Sequence, residues 1–343
     1  MRQTRVLIVD DSRTMQRLVE QALDDNDIEV VGFASDAHEA REAIKRLNPD
    51  VITLDVEMPG LDGLAFLERL MRLRPTPVVM VSNLTARGAD TSLRALELGA
   101  VECVCKPGPG SDEGFNELAA IVKSARRARL RRPYDDSRTR PVNSGFRSDG
   151  RILAIGASTG GVEALLTLVS QFPANCPPTM IAQHMPALFT KSFAERLNRH
   201  CAAQVREAFQ GAPLAPGNVY LAPGGRAHLT LRRGNNGFFC HLDESEAVNG
   251  HRPSVDALFR SVAKTARASA TGVILTGMGR DGAEGLLEMR RAGAATFGQD
   301  AQSSVIYGMP RVAWEIGAVQ QQGSPEALAG LVLSQMQSAA IGA

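Results

Sequence analysis

Ser158 stands in Ile152-Leu-Ala-Ile-Gly-Ala-Ser158-Thr-Gly-Gly161, between an apolar run and a stretch, Val162 to Val169, whose apolar residues recur at helical spacing. A buried strand turning sharply into a helix would leave its hydroxyl uncrowded above free helix N–H groups, where developing negative charge is favoured. Gly156, Gly160 and Gly161 give the backbone its freedom to turn. That is one way to present a nucleophile. Glycine-rich strand-to-helix turns also hold phosphates, and some are only structural. The stretch reads G-x-x-x-G-G, neither a dinucleotide loop nor a Walker loop, and it also satisfies G-x-S-x-G, the elbow of serine hydrolases. The turn alone leaves these readings open.

A nucleophilic serine needs a base and a group that orients the base. His184 follows the apolar run Pro178 to Gln183, and Asp281 follows Gly272 to Thr276 through Gly277-Met278-Gly279-Arg280. If these runs are parallel strands, their C-terminal ends share one sheet edge and Ser158, His184 and Asp281 converge there. His184 would take the hydroxyl proton and Asp281 would fix its tautomer. Backbone amides near Met278 are placed to donate to an oxyanion. The other histidines compete poorly: His251 only precedes Arg252-Pro253, and Ser254 and Asp256 read as caps of the next helix.

Asp10 and Asp11, Asp55, Ser82 and Lys106 stand at the ends of further apolar runs, Val6 to Val9, Val51 to Leu54, Pro77 to Val81 and Val101 to Cys105, with helical stretches between them. This alternation predicts a doubly wound parallel sheet. Clustered carboxylates repel, and an oxygen-seeking cation such as Mg2+ offsets the repulsion.

The chain has 343 residues, 44% of them apolar and 22% charged, enough for two α/β domains with separate cores. No apolar run is long enough to span a membrane, and the polar start lacks a secretion signal, so a cytoplasmic location is expected. Five cysteines without metal spacing read as reduced thiols, and a net charge of +1 makes no global case for nucleic acid. Eight arginines and several turn residues between Lys123 and Arg147 read as a flexible basic linker over residues 123–149. Gly217 to Gly224, and a hairpin from Ala227 to Leu242, read as β segments beside the site.

Residues 1–122 resemble the receiver domain of two-component response regulators, with Asp10-Asp11, Asp55, Met58-Pro-Gly-Leu-Asp-Gly63, Ser82 and Lys106-Pro107 in place. The resemblance implies a flavodoxin-like fold, Asp55 as phosphoacceptor, Mg2+ on Asp10, Asp11 and Asp55, and phosphoryl contacts from Ser82 and Lys106. It also implies a sensor histidine kinase as donor and a cis bond before Pro107. Cys103 stands where receivers carry a switch aromatic.

Residues 150–338 resemble the catalytic domain of chemotaxis receptor methylesterases, carried by Gly156-Ala-Ser-Thr-Gly-Gly161, Gln183-His-Met-Pro186, His251-Arg-Pro-Ser-Val-Asp256 and Leu275-Thr-Gly-Met-Gly-Arg-Asp-Gly282. This implies a Rossmann-like domain with a hairpin insertion and no cofactor. Ser158 is then nucleophile, His184 base, Asp281 orienter and the Met278 amide part of the oxyanion hole. The implied substrates are glutamate methyl esters, and glutamines, on methyl-accepting chemoreceptors. The unmodified receiver would cover the cleft until phosphorylated. Two rivals remain: a nucleotide- or nucleic-acid-binding output domain, and a non-catalytic docking module.

Overall fold

Val6 to Val9 and Ile152 to Ile155 are almost wholly shielded from solvent, as befits strands covered on both faces by helices. The computed structural model describes residues 2–58, 61–83, 85–107, 115, 117–130 and 145–338. The chain divides into two units, Met1–Tyr134 and Asp135–Ala343.

The first unit runs β1 (Thr4–Val9), α1 (Arg13–Ala22), β2 (Ile28–Ala34), α2 (Ala37–Leu47) and β3 (Val51–Asp55). A two-residue pair, β4 (Glu57–Met58) and β5 (Leu61–Asp62), leads to α3 (Gly63–Leu73) and β6 (Val78–Ser82). Then come α4 (Ala86–Glu97), β7 (Glu102–Cys105) and α5 (Leu118–Ala125). The sheet order β2-β1-β3-β6-β7, all parallel, brings the ends of β1, β3, β6 and β7 to one edge. β2 is apolar at Ile28, Val30, Val31, Phe33 and Ala34, but much of it is only partly buried.

The second unit begins with β8 (Ile152–Ala157), α6 (Gly161–Val169), β9 (Thr179–Gln183) and α7 (Ala187–His200). β10 (Gln204–Glu207), β11 (Asn218–Leu221), β12 (His228–Gly234), β13 (Gly237–Asp243) and α8 (Val255–Thr265) follow. It closes with β14 (Ala270–Ile274), α9 (Ala283–Arg291), β15 (Ala295–Gln299), α10 (Met309–Glu315), β16 (Gln321–Gly323) and α11 (Pro325–Gln335). Seven parallel strands take the order β10-β11-β9-β8-β14-β15-β16. The doubly wound class expected from the sequence is therefore present in both units.

Central β8 lies between β9 and β14, in register Ala154 with Met180 on one side and with Gly272 on the other. The segment Gly217 to Gly224, expected beside the site, supplies β11 to the main sheet, where Val219 and Leu221 are buried, and its end meets the chain just after His184: a Cβ on Gly224 would lie 2.3 Å from Met185 O. The β12–β13 hairpin is the insertion. It packs on α8, where Ser261 Oγ accepts from Leu231 N at 2.9 Å and Thr265 Oγ1 donates to Leu231 O at 3.2 Å. The expected linker falls largely on residues 131–144, outside those described.

Candidate active site

β8 ends at Ala157, and the chain reverses through Ser158, Thr159 and Gly160 into α6. Only Gly160 turns with a left-handed φ, +76°. The other two glycines serve close packing: a Cβ on Gly156 would lie 2.1 Å from Val255 Cγ1, and one on Gly161 would lie 2.0 Å from Gln183 Oε1. Two of the turn's amides are already used, Ser158 N on Thr276 O at 3.0 Å and Gly161 N on Ser158 O at 2.7 Å. A phosphate loop presents such amides to its ligand; these two are turned to the protein's own carbonyls.

His184 continues β9, with its amide on Ala157 O at 3.1 Å. Gln183 Nε2 donates to Ser158 O and to His184 O, both at 3.0 Å, tying the two strand ends together. The imidazole bridges the other two groups, Nδ1 lying 3.2 Å from Ser158 Oγ and Nε2 2.8 Å from Asp281 Oδ2. An ionised carboxylate only accepts, so Nε2 carries the hydrogen and Nδ1 presents its lone pair to the hydroxyl. That is the tautomer a general base needs.

Asp281 is 2% exposed, yet five donors meet its two oxygens. Oδ1 accepts from Asn249 Nδ2 at 2.8 Å, Ser254 Oγ at 2.8 Å and Asp256 N at 3.3 Å. Oδ2 accepts from Val255 N at 2.6 Å and from His184. The carboxylate thus sits at the N-terminus of α8, where free amides and the helix dipole favour an anion. Burial pushes its pKa up, but His184, Asn249 and the Val255 amide pull harder, and the net shift is well downward.

Ser254 caps α8 as expected, accepting from Ala257 N at 3.2 Å, and its hydroxyl proton goes to Asp281. Asp256 does not cap its own helix. Its Oδ1 accepts from Gly285 N of α9 at 2.7 Å, and its Oδ2 from Asn249 at 2.9 Å. Burial moves the pKa of Asp256 up, assisted by the charge of Asp281.

The Gly277–Gly279 turn lies directly over the serine: a Cβ on Gly277 would meet Ser158 Cβ at 2.8 Å and Met309 Sδ at 2.3 Å. Gly277 O is held by the amides of Gly308 and Met309, and Gly277 N by Ile306 O. Met278 is therefore carried by a braced turn beside Ser158, with Gly279 left-handed at φ +81°.

One residue that sequence reasoning set aside belongs here. The His251 ring stacks on that of His184, centroids 3.8 Å apart and planes 18° from parallel. His251 follows no strand, but Asn249-Gly250 just before it is the strongest short hairpin signal and was available in the sequence.

In the first unit, Asp10, Asp11 and Asp55 each bring a carboxylate oxygen within 4.8 Å of the others. Lys106 Nζ lies 3.1 Å from Asp10 Oδ2 and 2.8 Å from Asp55 Oδ2. Burial alone would lower the Lys106 pKa, but the bonds and charges of Asp55 and Asp10 more than offset it and raise it. Three hard oxygen donors in reach of one point fit a small divalent cation. Ser82 Oγ is 2.9 Å from Ser92 Oγ of α4, a partner the sequence did not reveal. Cys103, where a switch aromatic was sought, donates its thiol to Ser92 O at 3.5 Å. The loop at residues 59–60 lies outside the described residues. The cis bond expected before Pro107 is not found; the described residues hold one, Arg252–Pro253, and trans is the intrinsically favoured form where no turn demands otherwise.

Among the described residues no helix is long and apolar enough to cross a membrane. A family profile described as CheB methylesterase matches residues 153–332, and one described as response regulator receiver domain matches residues 6–114. A protein-glutamate methylesterase/protein-glutamine glutaminase of Agrobacterium fabrum is 58% identical over 325 residues, covering 93% of this chain and 92% of its own length. One of the same name from Caulobacter vibrioides is 56% identical over 338 residues, covering 97% and 98%. The solved catalytic domain of the Thermotoga maritima CheB methylesterase superposes with a TM-score of 0.53 at 35% identity, covering 55% of this chain and 99% of that one.

Proposed function

The chain belongs to the CheB methylesterase family, and from that premise we propose that Ser158 is its nucleophile, His184 its general base and Asp281 the group that orients the base. It is a methylesterase and glutaminase joined to a receiver unit. One observation carries the reading: the unbroken hydrogen-bonded chain from Ser158 Oγ through both ring nitrogens of His184 to Asp281 Oδ2.

Ser158 Oγ attacks the carbonyl carbon of a glutamate methyl ester while His184 Nδ1 accepts the hydroxyl proton. The imidazolium that forms is stabilised by the Asp281 carboxylate. The Met278 amide supports the oxyanion, a type of contact worth about 3 kcal/mol in the transition state. Collapse expels the methoxy group, which takes the proton from His184 and leaves as methanol. Water, deprotonated by His184, then attacks the acyl-enzyme, releasing the glutamate carboxylate and restoring Ser158. A glutamine side chain follows the same course with ammonia leaving. Chemoreceptor signalling helices are the substrate surface that this chemistry fits.

In the receiver unit Asp55 accepts a phosphoryl group from a sensor histidine kinase. Mg2+ held by Asp10, Asp11 and Asp55 would neutralise phosphoryl charge, while Lys106 and Ser82 are within the same strand-end cluster to bind its oxygens. The unmodified receiver holds esterase activity down, and phosphorylation relieves it.

The test is methanol release from methylated receptor fragments, with and without acetyl phosphate. Ser158→Ala should abolish release with the fold intact, and removing residues 1–140 should raise release in the absence of phosphodonor. Retained activity in Ser158→Ala would remove Ser158 as nucleophile.

A further inference from the structure

The turn Val248-Asn249-Gly250-His251 touches both the imidazole and the carboxylate of the site, yet neither Asn249 nor His251 is among the three reacting groups. Val248 N bonds His251 O at 3.1 Å and His251 N bonds Val248 O at 3.0 Å, which closes a two-residue loop. Both loop residues are left-handed, with φ +55° at Asn249 and +80° at Gly250. That is the geometry of a type I′ turn, for which asparagine followed by glycine is the favoured pair. Asparagine tolerates the left-handed region better than most side chains.

The turn aims two side chains inward. Asn249 Nδ2 sends one hydrogen to Asp281 Oδ1 at 2.8 Å and the other to Asp256 Oδ2 at 2.9 Å, holding two buried carboxylates at a fixed separation. The His251 ring lies flat on His184. The bonds of His184 to Ser158 and Asp281 run in the plane of its ring and restrain tilt out of that plane weakly. A parallel ring at 3.8 Å supplies that restraint.

We propose that the Val248–His251 turn is a positioning clamp for the catalytic pair, Asn249 fixing the Asp281 carboxylate and the His251 ring fixing the plane of His184 so that Nδ1 stays aimed at Ser158 Oγ. The clamp rests on the reading of Ser158 and His184 as nucleophile and base. Neither side chain does chemistry, so the effect of removing either falls on kcat. A contact made to substrate would raise KM instead.

The full-length chain is assayed for methanol release from methylated receptor fragments, and separately for the rate at which phenylmethylsulfonyl fluoride modifies Ser158, which needs no receptor. Asn249→Ala and His251→Ala should each lower kcat about 10- to 100-fold at unchanged KM and slow sulfonylation in parallel. His251→Phe, which keeps a flat ring and cannot titrate, should recover most of the loss. Should Asn249→Ala not fold, Asn249→Gly removes the donors while suiting the left-handed position of the turn, and it should show the same loss. Wild-type kcat in the folded variants, a change in KM alone, or His251→Phe as slow as His251→Ala would each overturn the clamp. Ser158→Ala separates the two levels: if it abolishes release while the turn variants stay fast, the clamp alone fails, and if it keeps activity the catalytic reading fails as well.

Discussion

Asp256 and Asp281 exchange helix caps. Asp281, just before α9, accepts the Val255 and Asp256 amides that open α8, while Asp256, in the first turn of α8, accepts the Gly285 amide of α9. Two helix starts that would each present unpaired amides in a buried region are closed by one another's carboxylate. The carboxylate that orients His184 is thereby part of the packing of α8 against α9.

Replacing Asp281 with asparagine should cost both activity and stability. An amide has one accepting oxygen against the carboxylate's two, so its nitrogen faces donors such as Val255 N or His184 Nε2 and the useful tautomer is lost. Methanol release should fall roughly 10⁴-fold, and urea unfolding should show a loss of about 1–3 kcal/mol for the donors left unpaired. A variant within tenfold of wild type would contradict the role of Asp281.

The same two aspartates should respond to pH in opposite senses. The native pKa of Asp281 lies below its ordinary value of 3.8, so its contribution to stability is complete above that value and is lost as pH falls below it towards the native pKa. Asp256 is shifted up, so its ionisation in the native state costs stability at neutral pH, and that cost is relieved as pH falls from its raised native pKa towards 3.8. Carboxyl carbon NMR titration should find Asp256 protonating first and Asp281 last. The reverse order would refute the assignment.

Gly156 should resist a methyl group. A Cβ there lies 2.1 Å from Val255 Cγ1, so Gly156→Ala forces the first residue of α8 away from β8 and should destabilise by about 1–3 kcal/mol. Val255→Ala removes the clashing atoms, and the double variant should be more stable than the sum of the single losses. Additive losses in denaturant melts would show that the contact is not the cause.

Phosphoryl uptake by the receiver unit should depend on a divalent cation. With Asp10, Asp11 and Asp55 able to reach one ion, chelation by EDTA should suppress incorporation from acetyl phosphate, and Asp10→Asn should weaken the response to added Mg2+. Asp55→Asn should abolish incorporation. Equal incorporation with and without the chelator would count against a metal site.

Ser158, His184 and Asp281 were legible because each follows an apolar run long enough to be a buried parallel strand, and such strands end at a common edge. The edge strands were not. β10 alternates exposed Gln204 and Arg206 with buried Val205, and β16 is Gln321, Gln322 and Gly323, so neither carries a continuous apolar run. β11 was visible as a strand, but its place between β10 and β9 is set by a connection the local pattern does not encode. Asp256 was misread because a first-turn aspartate has its own helix's amides at hand, and only tertiary contact brings α9 closer. His251 was missed because what places it is the Asn249-Gly250 turn and not a strand.

The shared cap at the start of α8 has a consequence for how heat disables the enzyme. A local opening of that helix end, with both sheets still folded, already frees Asp281 from the Val255 and Asp256 amides and so releases the ring it orients. Thermal inactivation should then begin below the calorimetric transition and be reversible on cooling over that interval. Substrate bound at Ser158 would narrow the gap by favouring the closed end.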